Sequence, residues 1–399
     1  MSETEDFKIG LLGQFGSGNI GNDGSLQAMR DFLLEAAPGA TLLCICSGPE
    51  QVARSLKLAS TSISVADPDD GARRFAAGLR RKFANLRYAF ATARRLDLIV
   101  IPGTGILDDF KERPFGWPYC LLRWCAAARF AGTPVAFVSV GAGPATNWLS
   151  RRFFLLAARC ARYRTYRDAA SIEFMRRLGC PANDGHVPDL AFRLPAPAAP
   201  PRPASARFCV GLGVMAYSGW AKNGREEARI GATYTAKIVE LTRRLVRDGI
   251  DVRLLIGGAE DEAVVRIVLA ACESVTKPVG AGAVIANAIG SLDDLMREIG
   301  ETDMVVASRY HNIVCALKMA RPAISLSYAP KNDALLAAAA LSGFRHHVEF
   351  FDVDAVTRQI EAIRRNPLAW TAGIGRALEE YRRAQARQDG ALALRFLPT

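Results

Sequence analysis

The sequence predicts two doubly wound parallel α/β domains of similar size that face each other across a cleft. Three observations predict this: short apolar runs alternate with longer amphipathic stretches, a proline-dense segment interrupts the alternation half-way, and the alternation then resumes. In the first half the runs 8–12, 41–46, 97–101 and 134–140 read as buried strands. Helical patterns follow at 23–36, 118–129, 147–159 and 168–178, the first with a capping residue at Asn22 or Asp23. Segment 194–206, LPAPAAPPRPASA, is too rich in proline for a helix or sheet interior and reads as a stiff connector. Beyond it come strands at 208–212, 251–256, 304–307 and 323–327, with helices near 234–247, 292–299, 312–319 and 333–341. The expected domains are 1–194 and 207–365, joined by the linker 195–206. Residues 366–399 should supply a last helix, about 368–388, packing back on the first domain. A length of 399 residues fits two domains of roughly 100 to 200 residues each, and a half-hydrophobic composition suffices for two cores.

Against 40 Asp and Glu stand 51 Lys and Arg, a formal net charge of +11 that favours anionic partners. Much of the excess lies in 73–95, which carries eight basic residues, from Arg73 to Arg95, and no acid, with aromatic side chains interleaved. Such a stretch suits an anionic membrane surface, or is simply a solvated basic helix; no nucleic-acid signature accompanies it, so nucleic acid is not an expected partner. Nine cysteines without a CxxC pair imply neither a disulfide framework nor a zinc site, and a reducing cytoplasm is expected. The acidic start, Met1 to Asp6, does not read as an export signal. The longest uncharged run, 130–150, is broken by glycines and prolines into a strand and its turn, not a membrane span.

Gly16-Ser17-Gly18-Asn19-Ile20-Gly21 is a GxGxxG turn between a strand and a helix, a place where backbone N–H groups meet anions. The second strand ends Cys46-Ser47-Gly48-Pro49 without the acid that a dinucleotide ribose requires, so a tight turn is the simpler reading. The densest chemistry lies in 303–333. There Ser308-Arg309-Tyr310-His311 opens one helix, and Pro330-Lys331-Asn332-Asp333 opens the next. Both follow strand C-termini, where open α/β sheets bind ligands, so Arg309, His311 and Lys331 are expected to converge on one anionic group. Arginine offers a bidentate fork, lysine a point charge, and histidine a proton that titrates at about 6.5. Arg167 precedes Asp168, a natural helix cap, and either points into the cleft or is held by a nearby carboxylate. Asp108-Asp109, a lone acidic pair, is expected to cap the following segment, and no metal-ligand spacing occurs.

These blocks resemble the polysaccharide pyruvyl transferases, which move a pyruvyl group from phosphoenolpyruvate onto a sugar as a ketal. The resemblance covers most of the chain: FGSGNIGNDGSLQAM, IPGTGILDD, SVGAGP, YRDAAS, VPDLAF and SRYHNIVCALKMARPAISLSYAPK, in that order. It implies two Rossmann-like domains in a GT-B arrangement with the active site in the cleft. It further implies His311 as the catalytic residue, with Arg309, Lys331 and Arg167 binding the donor. Asn19 and Asp23 become candidates for the acceptor side, where this chain places Asn22 before Asp23 instead of an aspartate directly after Gly21. No cofactor is implied beyond phosphoenolpyruvate as donor substrate. The acceptor would be a glycan or lipid-linked sugar of an exopolysaccharide or envelope precursor, handled in the cytoplasm or at the inner membrane face. A nucleotide-sugar glycosyltransferase of GT-B form and a noncatalytic membrane-surface protein of the same fold are the alternatives.

Overall fold

The computed structural model describes residues 7–65, 74–110, 112–181, 184–198, 203, 206–219, 224–327 and 330–398. The chain divides into two units: Met1–Ser17, Asn22–Leu190 and Ala384–Thr399 form the first, Gly18–Gly21 and Ala191–Arg383 the second. In the expected linker, residues 199–202 and 204–205 lie outside the described residues.

In the first unit, strands β1 (Lys8–Gly13), β2 (Thr41–Cys46), β3 (Ser60–Ser62), β4 (Leu98–Pro102), β5 (Val135–Val140), β6 (Tyr163–Tyr166) and β7 (Gly185–His186) form one sheet. Helices α1 (Ile20–Ala36), α2 (Pro49–Leu56), α3 (Arg74–Ala93), α4 (Trp117–Ala131), α5 (Trp148–Cys160) and α6 (Ala169–Leu178) alternate with them, and the first two residues of α1 count with the second unit. All neighbouring strands are parallel, in the order β3-β2-β1-β4-β5-β6-β7. Helix crossovers cover both faces, so every residue of β4 and β5 is buried, which is why these strands read as unbroken apolar runs.

The second unit repeats the plan. Its strands β8 (Cys209–Gly213), β9 (Asp251–Leu255), β10 (Val284–Ile285), β11 (Met304–Ala307), β12 (Ala323–Ser327) and β13 (Arg345–His347) are parallel, in the order β10-β9-β8-β11-β12-β13. Between and after them run α7 (Gly224–Arg247), α8 (Glu262–Cys272), α9 (Leu292–Gly300), α10 (Tyr310–Lys318), α11 (Pro330–Ala338), α12 (Val353–Arg365) and α13 (Thr371–Phe396). In each sheet the first strand lies between the second and fourth, so the order reverses at β1/β4 and at β8/β11. In open sheets of this kind, ligands bind outside the carboxyl ends of the strands at such a reversal.

From Ala384 onward, α13 belongs to the first unit and fills a polar gap in its core. The β5–β6 register shifts between Phe137 and Val140, and Ser139 takes a left-handed φ of 53° there. Its N–H turns to the Thr165 hydroxyl at 2.8 Å. Gln388 holds both hydroxyls, accepting from Thr165 at 2.5 Å and donating to Ser139 at 3.1 Å. All three side chains are buried, so removing the amide orphans two hydroxyls. Gln388→Leu should lower stability by about 1 to 3 kcal/mol, read as an earlier midpoint in urea unfolding; a wild-type midpoint would show that the network holds nothing.

Candidate active site

The SRYH block lies at the order reversal of the second sheet. β11 ends at Ala307, and Ser308 turns the chain back against β8, donating its N–H to Gly213 O at 3.3 Å. The Ser308 hydroxyl meets Tyr234 Oη at 3.0 Å, and burial pushes that phenol up to about 12, so it stays neutral. Arg309 occupies the cap position of α10, but its side chain does not cap the helix. It reaches instead to the turn after β9, where Nε donates to Asp261 Oδ2 at 2.9 Å and Nη2 to Asp261 Oδ1 at 2.6 Å. Nη2 also donates to Glu260 Oε1 at 2.6 Å. Burial opposes the charge on Arg309, but hydrogen bonds and attraction from Asp261 and Glu260 outweigh it, so its pKa lies above the ordinary guanidinium value. The expectation of three side chains around one anion had left out these two carboxylates.

His311 stands in the first turn of α10, half-buried, with its ring edge-on to Tyr310 at 5.2 Å. The turn Gly18–Gly21 packs on the same unit. Asn19 bridges to Gly258, Ile20 N–H donates to Gly257 O at 3.2 Å, and Asn19 Oδ1 accepts from Gly21 N–H at 3.0 Å. This seats Gly21 against the imidazole so closely that a Cβ there would fall within about 1.9 Å of Nδ1. The third glycine of GxGxxG is therefore a packing requirement of His311. Lys331, at the start of α11, carries Nζ 5.6 Å from the Tyr310 ring centroid, so the Tyr310 ring links the two helix starts.

Arg309, His311, Lys331 and Asn19 thus belong to the second unit, while Arg167 and Asp23 belong to the first. Asp23 accepts the Gly16 N–H at 2.8 Å, and burial raises its carboxyl above the ordinary value despite that bond. Arg167 is paired within its own unit: Nη1 donates to Asp189 Oδ2 at 2.8 Å, and the two side chains are 2% and 0% exposed. Asp168 lies 3.8 Å from its Nε and caps α6 by accepting from Ser171 N–H at 2.7 Å. Gly141 leaves room for the guanidinium, since a Cβ there would meet it at 2.7 Å. Of the acidic pair, Asp108 caps the segment that follows, accepting the Phe110 N–H at 3.2 Å, and Asp109 does not. Asp109 accepts N–H bonds from Thr146 and Asn147 at 2.8 and 2.9 Å and fixes the turn before α5. Among the described residues no group of three or more His, Cys, Asp or Glu is placed to hold a metal ion.

A family model for polysaccharide pyruvyl transferases matches residues 19–330. The chain belongs to the polysaccharide pyruvyl transferase family. The matched region of this transferase family contains Asn19, Asp23, Arg167, Arg309 and His311 and ends one residue before Lys331. No curated protein sequence matches the chain well enough to count as a relative. Solved structures with the same two-unit architecture include a glycosyltransferase from Rickettsia africae, 11% identical over 98% of each chain with a TM-score of 0.60. A UDP-GlcNAc 2-epimerase from Neisseria meningitidis bound to UDP-GlcNAc is 9% identical over 95% of this chain and 99% of that one, with a TM-score of 0.58. The glycotransferase of kitacinnamycin is 14% identical over 99% and 100%, with a TM-score of 0.52. At these identities the likeness shows the fold, a GT-B-like pair of Rossmann-like units, and nothing more.

Sequence reasoning overlooked Glu260 and Asp261, although GGAED directly after a strand, next to the reversal point, was the signal that would have found them. It also gave Asp189 no role within VPDLAF. Arg167→Met should cost about 3 to 5 kcal/mol because Asp189 is left charged in an apolar surround, and Arg167→Met with Asp189→Leu should recover most of that. Chemical denaturation of both variants tests the pair, and a single variant as stable as wild type would contradict it.

Proposed function

We propose that this member of the family transfers a pyruvyl group from phosphoenolpyruvate to a sugar of an exopolysaccharide or cell-envelope glycan precursor and closes a pyruvate ketal. The observation that carries the reading is the start of α10, where Arg309 and His311 stand at the order reversal of the second sheet with Lys331 on the next helix start. Helix N-termini and two cations at one sheet edge suit a donor bearing a carboxylate and a phosphate.

In the proposed reaction His311 gives a proton to the methylene carbon of the enol phosphate, which makes the neighbouring carbon electrophilic. One sugar hydroxyl adds there and releases its proton to the imidazole, the C–O bond to phosphate breaks, and the second hydroxyl closes the ring, its proton leaving on the phosphate. Histidine suits both directions because the imidazolium can give a proton that the neutral ring then takes back. Arg309 and Lys331 hold the carboxylate and phosphate and stabilise the departing charge. Arg167 was a third donor candidate. Its pairing with Asp189 supports the anchoring role instead, the other reading open to it. Asn19 and Asp23, the acceptor-side candidates, enter the proposal through the turn they hold against His311 and Gly16. A second reading, in which a nucleotide sugar is the substrate, rests on the same two cations, which suit a diphosphate as well.

The proposed place of action is the inner membrane face. No helix among the described residues is long and apolar enough to span a membrane. Helix α3 carries no acid, and Lys82, Phe83, Leu86, Arg87 and Phe90 are all exposed on it, with Lys82 Nζ 4.1 Å from the ring centroid of the exposed Phe115. Basic and aromatic side chains on one helix suit the headgroup region of an anionic bilayer. Arg73 itself lies outside the described residues.

His311→Ala should reduce turnover by about 10² to 10⁴ while leaving donor binding largely intact. Gly21→Ala, whose methyl displaces the imidazole, should reproduce part of that loss without unfolding the chain. Steady-state assays of both variants test the role, and unchanged turnover in His311→Ala would end it. Charge reversal of Arg80, Arg81 and Lys82 to Glu should weaken co-sedimentation with phosphatidylserine vesicles by at least about tenfold; persistent binding would rule out α3 as the contact.

A further inference from the structure

The geometry points to Glu260 as a built-in competitor for the donor: its carboxylate occupies Arg309 until an anionic ligand displaces it, while Asp261 holds Arg309 in place throughout. This rests on the reading of Arg309 as a donor-binding cation. It adds that the cation is masked in the resting protein.

Charge counting raises the question. One guanidinium faces two carboxylates, so the charge of Arg309 is more than balanced before any ligand arrives, and its pull on an incoming anion is weakened. One carboxylate must therefore withdraw before an anion binds well, and the two are not alike. Asp261 is completely buried and fully satisfied, accepting from Ala216 N–H at 2.8 Å, from Gly257 N–H at 3.0 Å and from both Nε and Nη2 of Arg309. Pulling it away would orphan a buried arginine edge and two backbone donors. Glu260 is 54% exposed, and Arg309 is its one hydrogen-bond partner among the described residues. The contact lies on the exposed side of the arginine, where an ion pair contributes little, so it opens readily.

The seat that Glu260 would leave is shaped for a carboxylate. Its Oε2 lies where a Cβ of Gly258 would be 2.6 Å away, so the missing side chain at Gly258 makes the space. Gly258 is also the residue to which Asn19 bridges, on the turn that presses Gly21 against His311. A ligand carboxylate in that seat would find Nη2 of Arg309, beside Nη1, which has no hydrogen-bond partner among the described residues. Glu260 thus mimics the carboxylate of the donor, and apparent donor affinity is reduced by the fraction of protein in which the seat is taken.

Isothermal titration of the full chain with phosphoenolpyruvate, and separately with inorganic phosphate, tests this. Glu260→Gln and Glu260→Ala should both bind each anion about two- to fivefold more tightly than wild type. Adding Arg309→Ala should abolish that gain. Equal or weaker binding by both Glu260 variants would overturn the inference, as would failure of every form to bind either anion. Tighter phosphate binding by the Glu260 variants with no binding of phosphoenolpyruvate would sustain the masked cation and refute the donor assigned to it.

Discussion

A guanidinium withdrawn from water has to be met by carboxylate, and the site of the second unit depends on how Asp261 meets Arg309. Both oxygens of Asp261 are paired with the arginine and with backbone N–H groups, so the arginine has one position and the chain around it follows. The turn after β9 is pinned by the same carboxylate, and Gly257 and Gly258 of that turn receive Ile20 and Asn19. Gly21 then sets the imidazole of His311. Within one unit, a single ion pair on a fully buried carboxylate fixes the cation, the turn and the histidine. The first unit uses the same device with Arg167 and Asp189, there to gather the chain around Gly141 and the cap of α6.

Function follows from these fixtures at two levels. The fold, shared with an epimerase and a glycosyltransferase at identities near one in ten, says only that two Rossmann-like units are present. The family match, which spans both units, supplies the transferase class. A histidine in the first turn of a helix beside a masked arginine suits protonation of an enol phosphate better than it suits holding a diphosphate.

Much of this was legible in the sequence because parallel strands buried on both faces leave long apolar runs, and runs such as 97–101 and 134–140 stand out between polar stretches. The strands β3, β7, β10 and β13, of two or three residues each, left no such run. The positions of Arg309, His311 and Lys331 could be read because each follows a strand end directly. Their partners could not, since Asp261 stands 48 residues before Arg309 and Gln388 stands 249 after Ser139, and local patterning carries no information across such distances. Gly21 reads in the sequence as part of a tight turn, and only the position of the imidazole shows what the missing side chain is for.

The central claim is that Arg309 and its surroundings recognise phosphoenolpyruvate as donor. A thermal-shift titration of the purified chain with phosphoenolpyruvate beside UDP-GlcNAc and other nucleotide sugars tests it most directly, because a ligand bound only by the folded state raises the melting temperature with its concentration. The account predicts a concentration-dependent rise with phosphoenolpyruvate that vanishes in Arg309→Ala. A rise with a nucleotide sugar alone would contradict it.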